Sequence, residues 1–428
     1  MKQGAFDKLR EYLPDGQVKL AVGVSGGADS LALVMILHQA GYQVIALTVD
    51  HGLRPESADE ALYVGQLMGQ WGIEHYILTL DTAVGRQNLQ AKAREARYKA
   101  LVNWCESHQV WHLCVAHHQE DQAETFLMRL ARGSGVKGLQ AMQPVVQLSD
   151  KVTLYRPLLS TPKQVLKDFL NVESIQWIED PSNQNKDFDR IKLRDFLNHP
   201  PLEGFTAERL SQTAATMQRA QQALDFYTDQ WLHTYVDFNH VGFVTLKKTG
   251  LQSAPAEIIF RALSALMIHM TGKAYAPRFS RLSRLYDDMQ KPDFQAATLG
   301  GVVITAPAQE NGDFILYREY AAMRPVAAVA QTRFEGLFDL SISAPILVGD
   351  YIAPLGDKGW AQLKAGGADQ SFWHDLSHAI RLTVPVIWSS DGTVKYAPYW
   401  QNTAMTTPAD SMNGMNISPF PYQTVTKR

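Results

Sequence analysis

The chain has 428 residues, of which 46% are hydrophobic and 19% charged, a balance that excludes a mostly disordered or collagen-like protein. That length exceeds what one hydrophobic core ordinarily supports, so two or three domains are expected. The net charge of −3, from 40 basic and 43 acidic side chains, does not announce a nucleic-acid partner by itself. No stretch of about 18 strongly apolar residues occurs. The first 13 residues mix charged with apolar groups instead of forming a signal-peptide core, so the reading is a cytoplasmic protein without a membrane partner. Two cysteines, Cys105 and Cys114, fit a reducing compartment and give neither a disulfide framework nor a paired Cys-x-x-Cys site.

From the N-terminus the pattern alternates strand and helix. Residues 19–24 read as an apolar strand, 28–40 as a helix and 43–49 as a second strand. A helix near 57–71, a strand near 75–80, a helix over 88–107, a strand over 110–116 and a helix over 120–131 follow. Strands apolar on both faces and separated by helices imply a doubly wound α/β domain with a parallel sheet, expected to span residues 1–200. Ligands of such sheets bind beyond the carboxyl ends of the strands, so the residues just after each strand carry the chemistry.

His199, Pro200 and Pro201 break the next helix. Residues 204–322 then read as a mainly helical domain, with helices over 205–235, 256–270 and 278–289 and a hairpin over 300–320 turning at 310–313. Beyond Pro325, β-like runs at 334–343, 345–352 and 380–388 lie between Gly and Pro residues, which predicts a small α+β domain over 330–428. Its tail from residue 411 is polar and expected to be poorly ordered. Two basic runs stand out, 86–99 and 273–291; each reads either as a solvated helix face or as a contact for phosphates.

The first strand runs into Ser25-Gly26-Gly27-Ala28-Asp29-Ser30 and then into the apolar helix. Two glycines allow a sharp turn that brings backbone N–H groups to an anion, the helix N-terminus adds partial positive charge, and the hydroxyls donate further. An acid in a phosphate cradle repels its ligand unless a divalent cation lies between them, so Asp29 reads as a Mg²⁺ ligand facing a pyrophosphate group. The plainer alternative is that Ser25 caps the helix and Asp29 adds first-turn charge. The loop resembles that of the PP-loop ATP pyrophosphatases, with the adenine nucleotide alpha-hydrolase-like fold. The resemblance implies ATP as substrate, cleaved between its α and β phosphates, with AMP transferred to an oxygen.

Further motifs bear on the acceptor. Residues 49–54 read Val-Asp-His-Gly-Leu-Arg, residues 116–125 read Ala-His-His-Gln-Glu-Asp-Gln-Ala-Glu-Thr, and Asp180-Pro181-Ser182-Asn183 precedes Arg190 and Arg194. With the Asn88–Leu101 pattern this set resembles the tRNA(Ile)-lysidine synthases over about the first 195 residues. The resemblance implies a ligase acting on tRNA(Ile) with a CAU anticodon. ATP adenylates the carbon 2 oxygen of the first anticodon cytidine, and free L-lysine then displaces AMP through its ε-amine. Asp29, Asp121 and Glu124 are the implied catalytic residues, Asp121 and Glu124 also holding the lysine ammonium from one helix face. Residues Ser25, Gly26, Gly27, Ala28, Asp29 and Ser30 are the implied ATP site, and Arg94, Arg97, Asp180, Asn183, Arg190 and Arg194 the implied tRNA contacts. A homodimer is compatible with it. Two positions depart from the family pattern: Glu120 stands where a second Asp is usual, and Ile191 where Asn often follows the arginine.

His117 and His118 beside Asp121 lack the further ligands of a zinc tetrahedron and read as neutral side chains. A PP-loop tRNA thiolation enzyme is the alternative reading, but both cysteines lie in apolar stretches suited to inert, buried thiols. An amidotransferase-type synthetase would need an ammonia-producing nucleophile, and a non-catalytic nucleotide-binding module would be expected to have lost Asp29, Asp121 or Glu124.

Overall fold

The structure is a computed structural model that describes residues 11–15, 18–50, 56–80, 89–179, 189–200, 202–307, 312–342, 345–365, 373, 376–397 and 415–419. The chain divides into two compact units, Met1–Gln222 and Ala223–Arg428.

In the first unit the elements run β1 (Lys19–Gly23), α1 (Ala28–Gln39), β2 (Gln43–Asp50), α2 (Glu56–Gln70), β3 (Glu74–Thr79), α3 (Leu89–Ser107), β4 (His112–Cys114), α4 (Gln119–Ala131), α5 (Val136–Leu139), β5 (Val145–Gln147), β6 (Thr153–Tyr155), α6 (Lys163–Val172) and α7 (Asp189–Asn198). They build one six-stranded sheet in the order β3-β2-β1-β4-β6-β5. All neighbours are parallel except the β5–β6 pair at the edge. This is the expected doubly wound α/β fold. The strand order reverses between β1 and β4, which opens a crevice at their carboxyl ends.

Packing explains why these segments adopt this form. Leu20, Ala21 and Val22 of β1 are fully buried, as are Leu31, Ala32, Leu33 and Val34 of α1. A helix apolar on nearly every face must be covered all round. The sheet covers α1 on one side and Leu166, Phe169 and Leu170 of α6 share its cluster on another. On the opposite face of the sheet, Leu101 and Trp104 of α3 pack with Leu113 and Val115. Replacing Leu33 by Ala would cost roughly 2–5 kcal/mol. The three-residue strands β5 and β6 were not legible in the sequence, because runs that short carry too few periodic positions to register.

In the second unit, helices Ala256–Thr271 and Phe279–Met289 stand where the sequence predicts them. The predicted hairpin is present as Val302–Thr305 and Phe314–Arg318, with Val302 opposite Arg318. It lies within a five-stranded sheet that also takes in Val236–Phe238, Val244–Leu246 and Ala296–Leu299. Two expectations are corrected. Residues 380–383 belong to a helix, His378–Thr383, capped by the Ser377 hydroxyl, and only Pro385–Trp388 is strand. Residues 347–350 form a turn in which the Asp350 carboxylate accepts from the Leu347 N–H, leaving Tyr351–Pro354 as the strand. Of the tail from residue 411, only Met415–Pro419 is described, as a strand paired with Phe338–Ile342. Among the described residues no helix is long and apolar enough to cross a membrane.

Candidate active site

The register of β1 against β4, Leu20 to His112 and Val22 to Cys114, makes the two chains leave the sheet side by side. Residues 24–30 and 115–121, about ninety positions apart in sequence, therefore meet. The loop after β1 is pinned by the Val24 N–H donating to Leu47 at 2.8 Å and the Ile178 N–H donating to the Gly26 carbonyl at 2.9 Å. Gly26 has φ +79°, and a Cβ there would lie 2.7 Å from Ile178 Cδ1, so only glycine suits the position. The Ser30 hydroxyl donates to Gly27 O at 3.0 Å and accepts from the Ser25 N–H at 3.2 Å. Gly27, not Ser25, is the N-cap of α1, and no side chain caps it. The first amides of α1 thus remain as donors for an anion.

A cavity of about 160 Å³ opens beside this loop. Ser25, Gly27, Asp29 and Ser30 line one wall; Arg94, Arg97 and Tyr98 of α3 and residues 115–117 line another. The Arg94 guanidinium lies 5.2 Å from the Tyr98 ring centroid. Burial lowers the Arg97 and Arg156 guanidinium pKa values. Neither Arg94 nor Arg97 has a carboxylate partner among the described residues, so the cavity presents cationic charge. His117 sits in it neutral, because burial and the nearby Arg156, Arg94 and Arg97 push its pKa down against the pull of Asp121.

His118 differs from the neutral side chain the sequence reading expected. Its side chain is 4% exposed, yet Asp29 Oδ2 lies 3.5 Å from Nε2, Glu120 Oε2 3.0 Å from Nδ1 and Asp121 Oδ2 3.5 Å from Nε2. Burial disfavours its charge, but the three carboxylates prevail and push the pKa up to about 10. His118 is an imidazolium that binds the acidic residues together. Burial raises the Asp29 carboxyl, and contacts with His118 and Lys163 more than offset this, holding it below its ordinary range. Lys163 Nζ stands 3.5 Å from Asp29 Oδ2. The other oxygen, Oδ1, is buried with no hydrogen-bond partner among the described residues.

Asp121 accepts from the His118 N–H at 3.1 Å, which fixes the start of α4. Glu124, 1% exposed, receives Arg194 Nε at 2.6 Å. Two residues assigned from sequence to different substrates, Glu124 and Arg194, are thus brought together as an ion pair. Asp180 and Asn183 lie outside the described residues, as does the side chain of Arg190. Sequence reasoning missed Lys163 and Arg156, and noted Glu120 only as a departure from the family pattern. The signal available was the Arg156-Pro-Leu-Leu-Ser-Thr-Pro-Lys163 segment, which follows a strand only three residues long. Both cysteines are buried, and burial raises their thiols, Cys105 to about 12, which keeps them protonated and inert.

The model of the PP-loop domain family matches residues 2–200. The tRNA(Ile)-lysidine synthase of Ruegeria pomeroyi is 39% identical over 290 residues, covering 67% of this chain and 68% of that one. That of Hyphomonas neptunium is 37% identical over 317 residues, covering 71% of this chain and 84% of its own. That of Anaplasma marginale is 34% identical over 347 residues, covering 75% and 74%. With the phosphate cradle, the arginine-lined cavity and the acidic helix start already converging on one crevice, these similarities establish that the chain belongs to the tRNA(Ile)-lysidine synthase family.

Proposed function

We propose that this enzyme joins lysine to carbon 2 of the first anticodon cytidine of a tRNA(Ile) bearing CAU, at the cost of ATP becoming AMP and pyrophosphate. The observation that carries this reading is the meeting of the 25–30 cradle and the α4 acids at adjacent strand ends. The cradle's amides and hydroxyls hold the triphosphate, with Arg94 and Arg97 across the cavity. The cytidine oxygen attacks the α phosphorus and pyrophosphate leaves. The lysine ε-amine then attacks carbon 2, AMP departs with the oxygen, and the amine gives up a proton.

Asp121 and Glu124, one turn apart at the start of α4, are the groups proposed to hold the lysine ammonium and receive that proton. Glu124 would do so in exchange for, or alongside, Arg194. Mg²⁺ fits the site, because Asp29 Oδ1 is a buried carboxylate oxygen without a hydrogen-bond partner among the described residues. Among the described residues no group of three or more His, Cys, Asp or Glu is arranged to hold a metal ion by itself, as suits an ion that takes its other oxygens from phosphates and water. When bound it neutralises phosphate charge; Asp29 would be its protein ligand.

The tRNA is proposed to lie against Asp180, Asn183, Arg190, Arg194 and Arg94, and also against the 204–322 region. There Arg278, the N-cap of the helix Phe279–Met289, is followed at three-residue spacing by the exposed Arg281 and Arg284, and the helix buries Leu282, Leu285 and Met289. Tyr275 is 87% exposed and Phe279 63%. Exposed aromatics beside guanidinium groups offer stacking and phosphate contacts together. A cytoplasmic location follows from a tRNA substrate. The test is pyrophosphate release from ATP with tRNA, with and without lysine. Release that requires tRNA, and product that requires lysine, are expected; turnover into a thiolated base would overturn the reading.

A further inference from the structure

We propose that Lys163 is a phosphate ligand of this site: its ammonium rests on Asp29 and transfers to the outer phosphates of the nucleotide when ATP binds. The inference rests on the nucleotide reading of the cradle and adds a residue that neither the loop motif nor the acidic helix contains.

Three observations carry it. Lys163 is the first residue of α6, and its backbone N–H donates to both oxygens of Glu120, at 3.0 and 3.2 Å. Glu120 is itself held against His118, and the Gln119 N–H donates to Thr161 O at 3.1 Å. The start of α6 is thereby fastened to the start of α4, and the Lys163 side chain begins from a fixed point at the edge of the cradle. Next, its ammonium touches Asp29, the second residue of the helix whose free amides face the ligand, at 3.5 Å. Finally, the Lys163 side chain remains 38% exposed and the Asp29 side chain 26% exposed. A partly solvated ion pair this long contributes little to folding, so the lysine gives it up readily for a multiply charged phosphate. His118 Nε2 lies 3.5 Å from the same Asp29 oxygen, so the carboxylate keeps a polar neighbour after the exchange.

This geometry makes a selective demand. A cation at the edge of the cradle serves the phosphates that leave as pyrophosphate and does nothing for AMP. Binding of ATP, inorganic pyrophosphate and AMP to the full-length protein, wild type and Lys163→Gln, is therefore measured by calorimetry. The variant is expected to bind ATP and pyrophosphate about tenfold or more weakly, the loss typical of one charge-assisted hydrogen bond, with AMP affinity unchanged. Lys163→Arg is expected to recover most of the loss, and thermal melting of all three proteins to coincide. Equal loss for AMP and pyrophosphate, unchanged pyrophosphate affinity, or arginine failing to rescue a normally folded protein would each overturn the proposal. Wild-type protein that binds neither ATP nor pyrophosphate would instead bring down the nucleotide reading beneath it.

Discussion

Ile178 closes over Gly26: its N–H donates to the glycine carbonyl, and its side chain fills the space a Cβ would need. Gly26→Ala must therefore both hold a left-handed backbone, at a cost of roughly 1–2 kcal/mol, and displace Ile178. Chemical denaturation should report a loss of that order, and calorimetry with ATP a larger proportional loss of affinity. Full ATP affinity in the alanine variant would show that the loop shape is not what binds the nucleotide.

Asp29→Asn keeps the size of the side chain and removes its charge. The expected outcome is loss of pyrophosphate release with tRNA binding retained, since the role proposed for the carboxylate concerns only the nucleotide. Chelation of divalent cations in the wild type should have the same effect. Turnover by the asparagine variant would remove Asp29 from the proposed metal role.

Glu124 offers a sharper discrimination. Glu124→Gln leaves Arg194 facing a neutral group, and because Arg194 is 36% exposed the expected cost is about 1–3 kcal/mol and not that of a fully buried pair. If Glu124 also receives lysine, the KM for lysine rises in this variant but not in Arg194→Met, although both are destabilised. Equal lysine kinetics in the two variants would confine Glu124 to a structural pair.

The His118 imidazolium gives stability a defined pH dependence. Its pKa rises from 6.5 to about 10 on folding, so its contribution is fully present below about 6.5 and is lost as pH climbs through about 10. Asp29 and Glu120, both lowered, act in the opposite sense and lose their contribution as pH falls through the acid range. Urea denaturation of the nucleotide-free protein should show wild type and His118→Gln converging as pH rises from 6 towards 10. A constant gap between them would mean that the histidine is neutral throughout.

Reversing the charges of Arg278, Arg281 and Arg284 together should weaken tRNA binding and flatten its salt dependence, by about 0.9 in log–log slope for each phosphate that is no longer neutralised. ATP affinity should not change. An unaltered slope would mark these arginines as a solvated helix face.

The shape of the loop after β1 was legible because it lies in one continuous segment: the apolar strand, two glycines and buried helix of residues 19–37 announce their geometry locally. The acidic helix start was legible for the same reason. What the sequence concealed depends on neighbours far along the chain. Nothing near His118 reveals that Asp29, 89 positions earlier, will sit beside it and keep it charged. Nothing near Lys163 shows that it returns to that carboxylate. The helix over 378–383 escaped because Ile380, Leu382, Thr383 and Val384 have strand-like composition, and the Ser377 cap that starts it is a single hydroxyl.

The bond from Glu120 to the first amide of α6 turns a small chemical difference into a matter of reach. Aspartate at that position would be shorter by one C–C bond, about 1.5 Å. Glu120→Asp should therefore draw the carboxylate away from the Lys163 amide and loosen the point from which that lysine's side chain extends.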